Sequence, residues 1–388
     1  MMADLAAAVL VLIVTAYAAL AGADFGGGIW DLLAGGTSRG LAPRHRIDRS
    51  VTPVWEANHV WLVIALVVLW TSFPVAFADI FTTLFVPLSV AALGIVLRGS
   101  GFAFRAQLRS LRWQAVTGGA FAIASLLTPF FLGTVVGSVA AGQVHGASGD
   151  PVTSWTNTTS LLTGALFVVT GAYLAAVFLA VDSERAGEPE LRVYFIRRAV
   201  AAAVASGVLA GVTMAVLHAS AKPLFTELTT GRGLPLVVIS VVAGVAVLAA
   251  LLFDVIRVVR PLAVLAVAAV IWGWAIGQYP YVLPARLTIA GAAAPRATLA
   301  AEVIVVAIIV VLVAPSFALL YRLALANRLA EAGDAAHSGP WGHPGSWGGR
   351  VEHATVRDSG KSQPGYARLA AAAVVAAVAV RQLRRSRQ

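Results

Sequence analysis

Nine windows of predominantly apolar residues succeed one another along this chain, near 4–23, 54–73, 75–98, 115–139, 158–181, 199–219, 234–256, 260–279 and 299–325. A run of about 20 such residues, wound as a helix rising ~1.5 Å per residue, matches the ~30 Å hydrocarbon core of a bilayer. In that medium every backbone amide must find its partner inside the segment, which leaves helices or a closed barrel. The repetition therefore points to one fold class: all-α, a polytopic integral membrane protein with about nine transmembrane helices. Composition agrees, with 59% hydrophobic and 12% charged residues, where a soluble domain carries roughly 25% charged.

The first window, in "MMADLAAAVLVLIVTAYAALAGADFGGG", has small residues near its end as a signal peptide would. It lacks a basic n-region and approaches spanning length, so it reads as a retained first transmembrane helix. Only the turn at Pro74 separates the second and third windows, and only "RVVRP" (257–261) the seventh and eighth. Both pairs are expected to be tight antiparallel hairpins, because proline ends a helix at its own position.

The basic excess, a net charge of +10, follows topology and needs no nucleic acid to explain it. Loops one, three, five and seven hold Arg39, Arg44, Arg46, Arg49; Arg98, Arg105, Arg109, Arg112; Arg185, Arg192, Arg197, Arg198; and Arg257, Arg260. The intervening loops hold Lys222, Arg232, Arg286 and Arg296. Fourteen against four turns the odd loops toward the cytoplasm, with the N-terminus outside and the end of the ninth helix inside. Cysteine is absent, which excludes disulfides, thiolate-ligated haem and an iron–sulfur cluster held by this chain alone.

Residues 1–329 form the transmembrane domain in this reading, and 330–388 a separate tail. The tail opens with a Gly-, Ser-, Pro- and His-rich stretch expected to be a disordered cytoplasmic linker. It closes with an apolar core, 369–380, too short to span and followed by arginines, expected to lie on the inner leaflet. The spacing of His337, His343 and His353 is irregular for a metal site and reads as incidental.

A few polar residues sit where an apolar medium should exclude them. In "VTPVWEANHVWL", Thr52 and Pro53 make a conventional helix entry, and Glu56 falls in the first turn, where the helix dipole favours an anion. One reading of Glu56 is therefore a cap. The other is a proton relay, since Glu56 and His59 are three apart and Trp55 and His59 four apart, so that carboxylate and imidazole share a face. In "GADFGGGIWDLLAGG", a phosphate-binding glycine loop lacks its preceding strand and its Lys-Ser or Lys-Thr. The glycines are expected to break the helix at the surface, with Trp30 and Asp31 along the interface and Asp24 either solvated or functional. Asp79 is expected at the opposite interface, His218 as an interfacial histidine beside Met214, Glu302 as an ordinary end residue, and Asp254 paired with Arg257 or Arg260. No span carries the His and Met array that several haems require. No matching pair of broken helices marks a transporter site.

These stretches together resemble subunit II of the cytochrome bd-type quinol oxidases. The likeness runs from "YAALAGADFGGGIWDLL" through "TPVWEANHVWLVIALVVLWTSFPVAFADIFTTLFVPL" to "GIVLRGSGFAFR", "RSLRW" and "SLLTGALFVVTGAYLAAVFLA", over about residues 1–325. The resemblance implies two four-helix bundles plus a peripheral helix, in the bacterial cell membrane. It implies a quinol:oxygen oxidoreductase of the respiratory chain, electrogenic, in which haems b and d belong to the partner subunit I and this chain holds neither cofactor nor metal. By the same resemblance Glu56 belongs to a cytoplasmic proton pathway, Asp24 is a second candidate for it, and Trp61 corresponds to the mouth of an oxygen route. The implied partners are the haem-binding subunit I, membrane quinol and the bilayer; a small accessory subunit and a bound quinone stay open. The sequence departs from the pattern at Ala21, where many members have Asp, at Glu56, where many have Asp, and at His59, where others have Gln. A reading from another class, a secondary transporter of a small solute coupled through Glu56 and Asp79, stands beside this one.

Overall fold

A computed structural model describes residues 1–35, 37–51, 55–105 and 111–325. Its helices are α1 (Met2–Leu32), α2 (Thr37–Val51), α3 (Trp55–Ser72), α4 (Pro74–Thr83), α5 (Phe85–Arg105), α6 (Leu111–Ala140), α7 (Thr153–Thr156), α8 (Thr158–Arg185), α9 (Pro189–Ser220), α10 (Lys222–Thr229), α11 (Leu234–Leu252), α12 (Val259–Gln278), α13 (Ile289–Ala292) and α14 (Arg296–Leu325). A two-stranded antiparallel hairpin, β1 (Tyr281–Leu283) with β2 (Leu287–Thr288), precedes α13. The fold is all-α and membrane-spanning. Among the described residues six helices are each long and apolar enough to cross a bilayer, or seven if the bent pair α3–α4 counts as one span. The tail, with its three histidines and its short apolar core, lies outside the described residues, as does the Thr52–Pro53 helix entry.

Two sets of helices pack side by side. In the first, α1 lies against α3 and α6, and α5 against α6. In the second, α8 pairs with α9 and α11 with α12, while α12 returns to α8. Helix α14 packs outside the first set, on α1 and α3. The seventh and eighth windows do form the expected hairpin, α11–α12. The Pro74 pair does not. Pro74 starts α4, which turns 117° away from α3, and the window 75–98 divides at Leu84 into α4 and α5. Phe73 and Leu84, both 0% exposed, pin the two corners, so burial of these corner side chains redirects a chain that hydropathy alone reads as a straight hairpin.

The glycines of the first window do not break it. Helix α1 runs through Gly26, Gly27 and Gly28 to Leu32. Each glycine inside a helix costs ~1 kcal/mol relative to alanine, and contact with other helices offsets this cost. A Cβ on Gly26 would sit 2.0 Å from the carbonyl oxygen of Gly171 on α8, and one on Gly28 2.2 Å from Ser125 Oγ on α6. The seam continues between α6 and α8, where a Cβ on Gly133 would lie 2.8 Å from the Cα of Gly164, and one on Gly137 2.6 Å from the Cα of Ser160. Between membrane helices, where lipid is as apolar as leucine, such backbone approach is the main source of packing energy. Helix α8 is therefore the hub of both sets.

Substituting Gly26 by leucine drives a side chain into the α8 backbone. It is expected to cost about 3 kcal/mol or more and to lower the thermal unfolding midpoint of the purified protein. Gly244→Ala, with nothing within 4 Å, is expected to leave the midpoint unchanged or raise it.

Candidate functional site

Asp24 and Arg98 form a buried ion pair where α1, α5 and α6 meet. Asp24 is 3% and Arg98 1% exposed. Arg98 Nη1 donates to Asp24 Oδ2 at 2.8 Å, and Nη2 to Oδ1 at 2.5 Å and to the Asp24 carbonyl at 3.0 Å. Arg98 Nε donates to Ser125 Oγ at 3.1 Å, and that hydroxyl donates to the Phe121 carbonyl at 2.7 Å. The guanidinium also lies 4.7 Å from the Phe25 ring centroid and 4.9 Å from that of Phe121. Bidentate geometry, a third acceptor and two aromatic faces together compensate a charge that lipid would otherwise reject. The Tyr17 hydroxyl, two turns along α1 and within electrostatic reach of both partners, is buried without a hydrogen-bond partner among the described residues. So is the Thr128 hydroxyl, three residues beyond Ser125 on α6.

The first turns of α3 lie against this turn of α1. Asn58 is 1% exposed, and its Nδ2 approaches the Leu20 carbonyl at 3.4 Å. The His59 ring meets Phe25 edge-on at 6.4 Å. Glu56 is in the first turn of α3, and its side chain lies outside the described residues. The two segments that the sequence marked as unusual, "WEANH" and "GADFGG", are thus neighbours in space. Trp61, one turn further along α3, is half-buried and packs with Ile13, Ala65, Val68 and Val306, between α1 and α14.

Other polar residues find partners elsewhere, several of them different from those expected. Asp31 is 7% exposed and pairs with Arg44 Nε at 3.2 Å, so it does not lie along an open interface. Trp30 donates from Nε1 to the Ala172 carbonyl at 2.7 Å, which ties the end of α1 to α8. Asp79 pairs with Arg286 at 3.1 Å, closing α4 against the β1–β2 hairpin. Asp254 adopts a left-handed φ of 64° and pairs with Arg192, whereas Arg260 pairs with Asp182 at 2.7 Å. The folded-back turn puts Asp254 beside α9, out of register with the arginines that follow it in the chain. Glu302 accepts hydrogen bonds from Thr71 Oγ1, at 2.5 Å, and from the Ser72 hydroxyl, so it fastens α14 to α3 and is not a simple helix-end residue. His218 is exposed and meets Phe225 edge-on at 4.7 Å. Among the described residues no three His, Asp or Glu side chains are grouped to hold a metal ion.

The charge count places Arg98 in the third loop, whereas it lies inside α5, 1% exposed and ion-paired; Arg192, Arg197 and Arg198 of the fifth loop likewise lie inside α9. For Arg98 the available signal was the apolar "GFAF" that follows it, which continues the helix beyond the arginine.

Comparison with known proteins bears on the whole arrangement. Residues 2–324 match the family "Cytochrome bd terminal oxidase subunit II". The cytochrome bd ubiquinol oxidase subunit 2 of Bacillus subtilis is 28% identical over 124 residues, 32% of this chain and 36% of that one. The cytochrome bd-I ubiquinol oxidase subunit 2 of Escherichia coli K12 is 26% identical over 126 residues, 32% of each chain. The chain thus spans about a third of the length of the curated relatives it matches. A chain from the solved bd oxidase of Geobacillus thermodenitrificans shares the fold, with a TM-score of 0.69 at 24% identity, covering 84% of this chain and 99% of that one. With the match extending over nearly all of the helical region, from the first residue of α1 to the last turn of α14, the chain belongs to the cytochrome bd terminal oxidase subunit II family.

Proposed function

We propose that this chain is the haem-free subunit II of a terminal oxidase that couples oxidation of membrane quinol to reduction of dioxygen to water. Its partner is a haem-binding subunit I, and the haems there supply electron transfer to dioxygen. In this reading the present chain supports subunit I and carries protons toward it from the cytoplasm. Family membership supports the reading. So does one observation of the site: the first turns of α3, with Glu56 at their start, lie against the Asp24 turn of α1. The basic residues of the odd loops orient this end toward the cytoplasm, the side from which uptake makes oxygen reduction electrogenic.

Glu56 is the proton carrier in this account. A carboxylate at the mouth of a membrane helix can take a proton from water and pass it along hydrogen-bonded groups. Asp24 acts differently. Both its oxygens are engaged by Arg98, and taking a proton would strand a buried guanidinium without its counter-charge. It is the fixed counter-charge of the site, and a carrier only if Arg98 lets go. The unpartnered Tyr17 and Thr128 hydroxyls mark where water molecules of a proton track would be held. Trp61, at the seam of α1, α3 and α14, lines the apolar approach by which dioxygen enters. Asp79, held by Arg286 in a surface ion pair, is poorly placed to act as the coupling group of a transporter.

Replacing Glu56 with glutamine is expected to lower turnover and membrane-potential generation by about tenfold or more, with the reduced-minus-oxidised haem spectrum intact. Glu56→Asp retains most of both. Equal proton uptake in wild type and the glutamine variant would remove Glu56 from the path.

For the ion pair, Asp24→Asn and Arg98→Gln should each cost about 3–5 kcal/mol, and the double substitution by leucines should recover part of that loss. Thermal unfolding of the purified complex checks the sign of this coupling. A stable Asp24→Asn variant that lacks only proton uptake would instead make Asp24 a carrier.

A further inference from the structure

Helix α9 carries a recess that the proton-carrying site does not use. It measures about 590 Å³ and is lined by Pro189, Glu190, Val193, Tyr194, Arg197 and Arg198. Four arginines at this end of the bundle are matched by acids: Arg44 by Asp31, Arg46 by Glu188, Arg192 by Glu184 and Asp254, and Arg260 by Asp182. Arg197 and Arg198 have no ion-pair partner among the described residues. One carboxylate, Glu190, lines the same recess, so two guanidiniums against it leave the recess positive.

The donors there are also incompletely used. Arg198 lies on the Tyr194 ring, its Cζ 3.3 Å from the centroid, and donates from Nη1 to the Tyr194 carbonyl at 3.2 Å. Arg198 Nε and the Tyr194 hydroxyl are buried without a partner among the described residues. Two unused donors beside an unmatched positive recess leave room for an acceptor oxygen there.

Below the recess the helix face changes character. At helical spacing from Arg197, the positions Ala201, Val204, Val208, Gly211 and Ala215 are all exposed, and a side chain at Gly211 would meet nothing within 4 Å. Small and β-branched residues in a row make an exposed apolar stripe that begins where the charge ends. A positive recess continued by an apolar stripe matches an anionic headgroup on acyl chains better than a soluble anion.

We propose that Tyr194, Arg197 and Arg198 bind the phosphate of an anionic phospholipid, with one acyl chain laid along the exposed apolar stripe Ala201–Ala215 of α9. The interfacial Tyr194 stacks under Arg198 and holds it at headgroup depth, and Trp30 approaches the same guanidinium from α1, at 5.7 Å.

The purified oxidase complex, stripped of lipid in detergent and offered equal phosphatidylglycerol and phosphatidylcholine, tests this by native mass spectrometry. Wild type should retain phosphatidylglycerol preferentially. The double variant Arg197→Gln with Arg198→Gln should lower that retention by about tenfold or more. Arg185→Gln with Arg257→Gln, two exposed arginines elsewhere, removes the same charge and should stay within about twofold of wild type. If the first double variant fails to accumulate, each single variant should show about a threefold loss. Equal losses in the two double variants, displacement by millimolar inorganic phosphate, or a second polypeptide seated on this face of α9 would each overturn the proposal.

Discussion

The ion pair between Asp24 and Arg98 sets the terms for the rest of this end of the molecule. Two charges at 3% and 1% exposure in a membrane protein are tolerated only when each lone pair and donor is used, because the desolvation cost is several kcal/mol per ion. Meeting that requirement brings three helices together. Helix α1 supplies the carboxylate and its own carbonyl, α5 the guanidinium, and α6 the Ser125 hydroxyl. Once α1 is fixed at this turn, the first turns of α3 lie against it, Asn58 at the Leu20 carbonyl and His59 at the Phe25 ring.

Close backbone contact is the second condition. The pair needs α1 and α6 near each other, and α8 must then sit in the remaining angle. Glycines at 26, 28, 133, 137, 164 and 171 make this possible by leaving no Cβ at the crossings. A related device recurs in the second set of helices. Asp182 at the end of α8 pairs with Arg260 at the start of α12, whose guanidinium also donates to the Phe178 carbonyl and lies 4.6 Å from that ring. An acid on the first helix of each set is thus held by an arginine from a later one, so the two sets use similar anchors.

Hydropathy makes the helical membrane fold legible, because the bilayer forces long apolar runs, and among the described residues the apolar windows fall largely on helix. It was blind to direction: nothing in the apolar run after Pro74 announces the 117° turn between α3 and α4, which depends on where Phe73 and Leu84 are buried. The glycine run near Asp24 reads as a break in the sequence because propensity ignores what packs against it. The site was half legible. Asp24 and Glu56 stood out as acids in apolar surroundings, but the partner that decides what Asp24 can do lies 74 residues away. A single sequence gives no distance between helices, so Arg98 counted only as one more topological charge. The same limit hides the pairing of Asp254, in the α11–α12 turn, with Arg192 on α9.

A buried ion pair, an acid in the first turn of a neighbouring helix and a scaffold of closely packed helices are what this member of the subunit II family presents. The most direct measurement is purification of the tagged full-length chain from its own membrane, followed by a reduced-minus-oxidised visible spectrum and a quinol-dependent oxygen-consumption assay. The account predicts an equimolar complex with a second membrane subunit, with haem bands that follow that subunit when the two are separated. A chain that purifies alone, without haem or oxygen consumption, and moves a solute across reconstituted vesicles would contradict it.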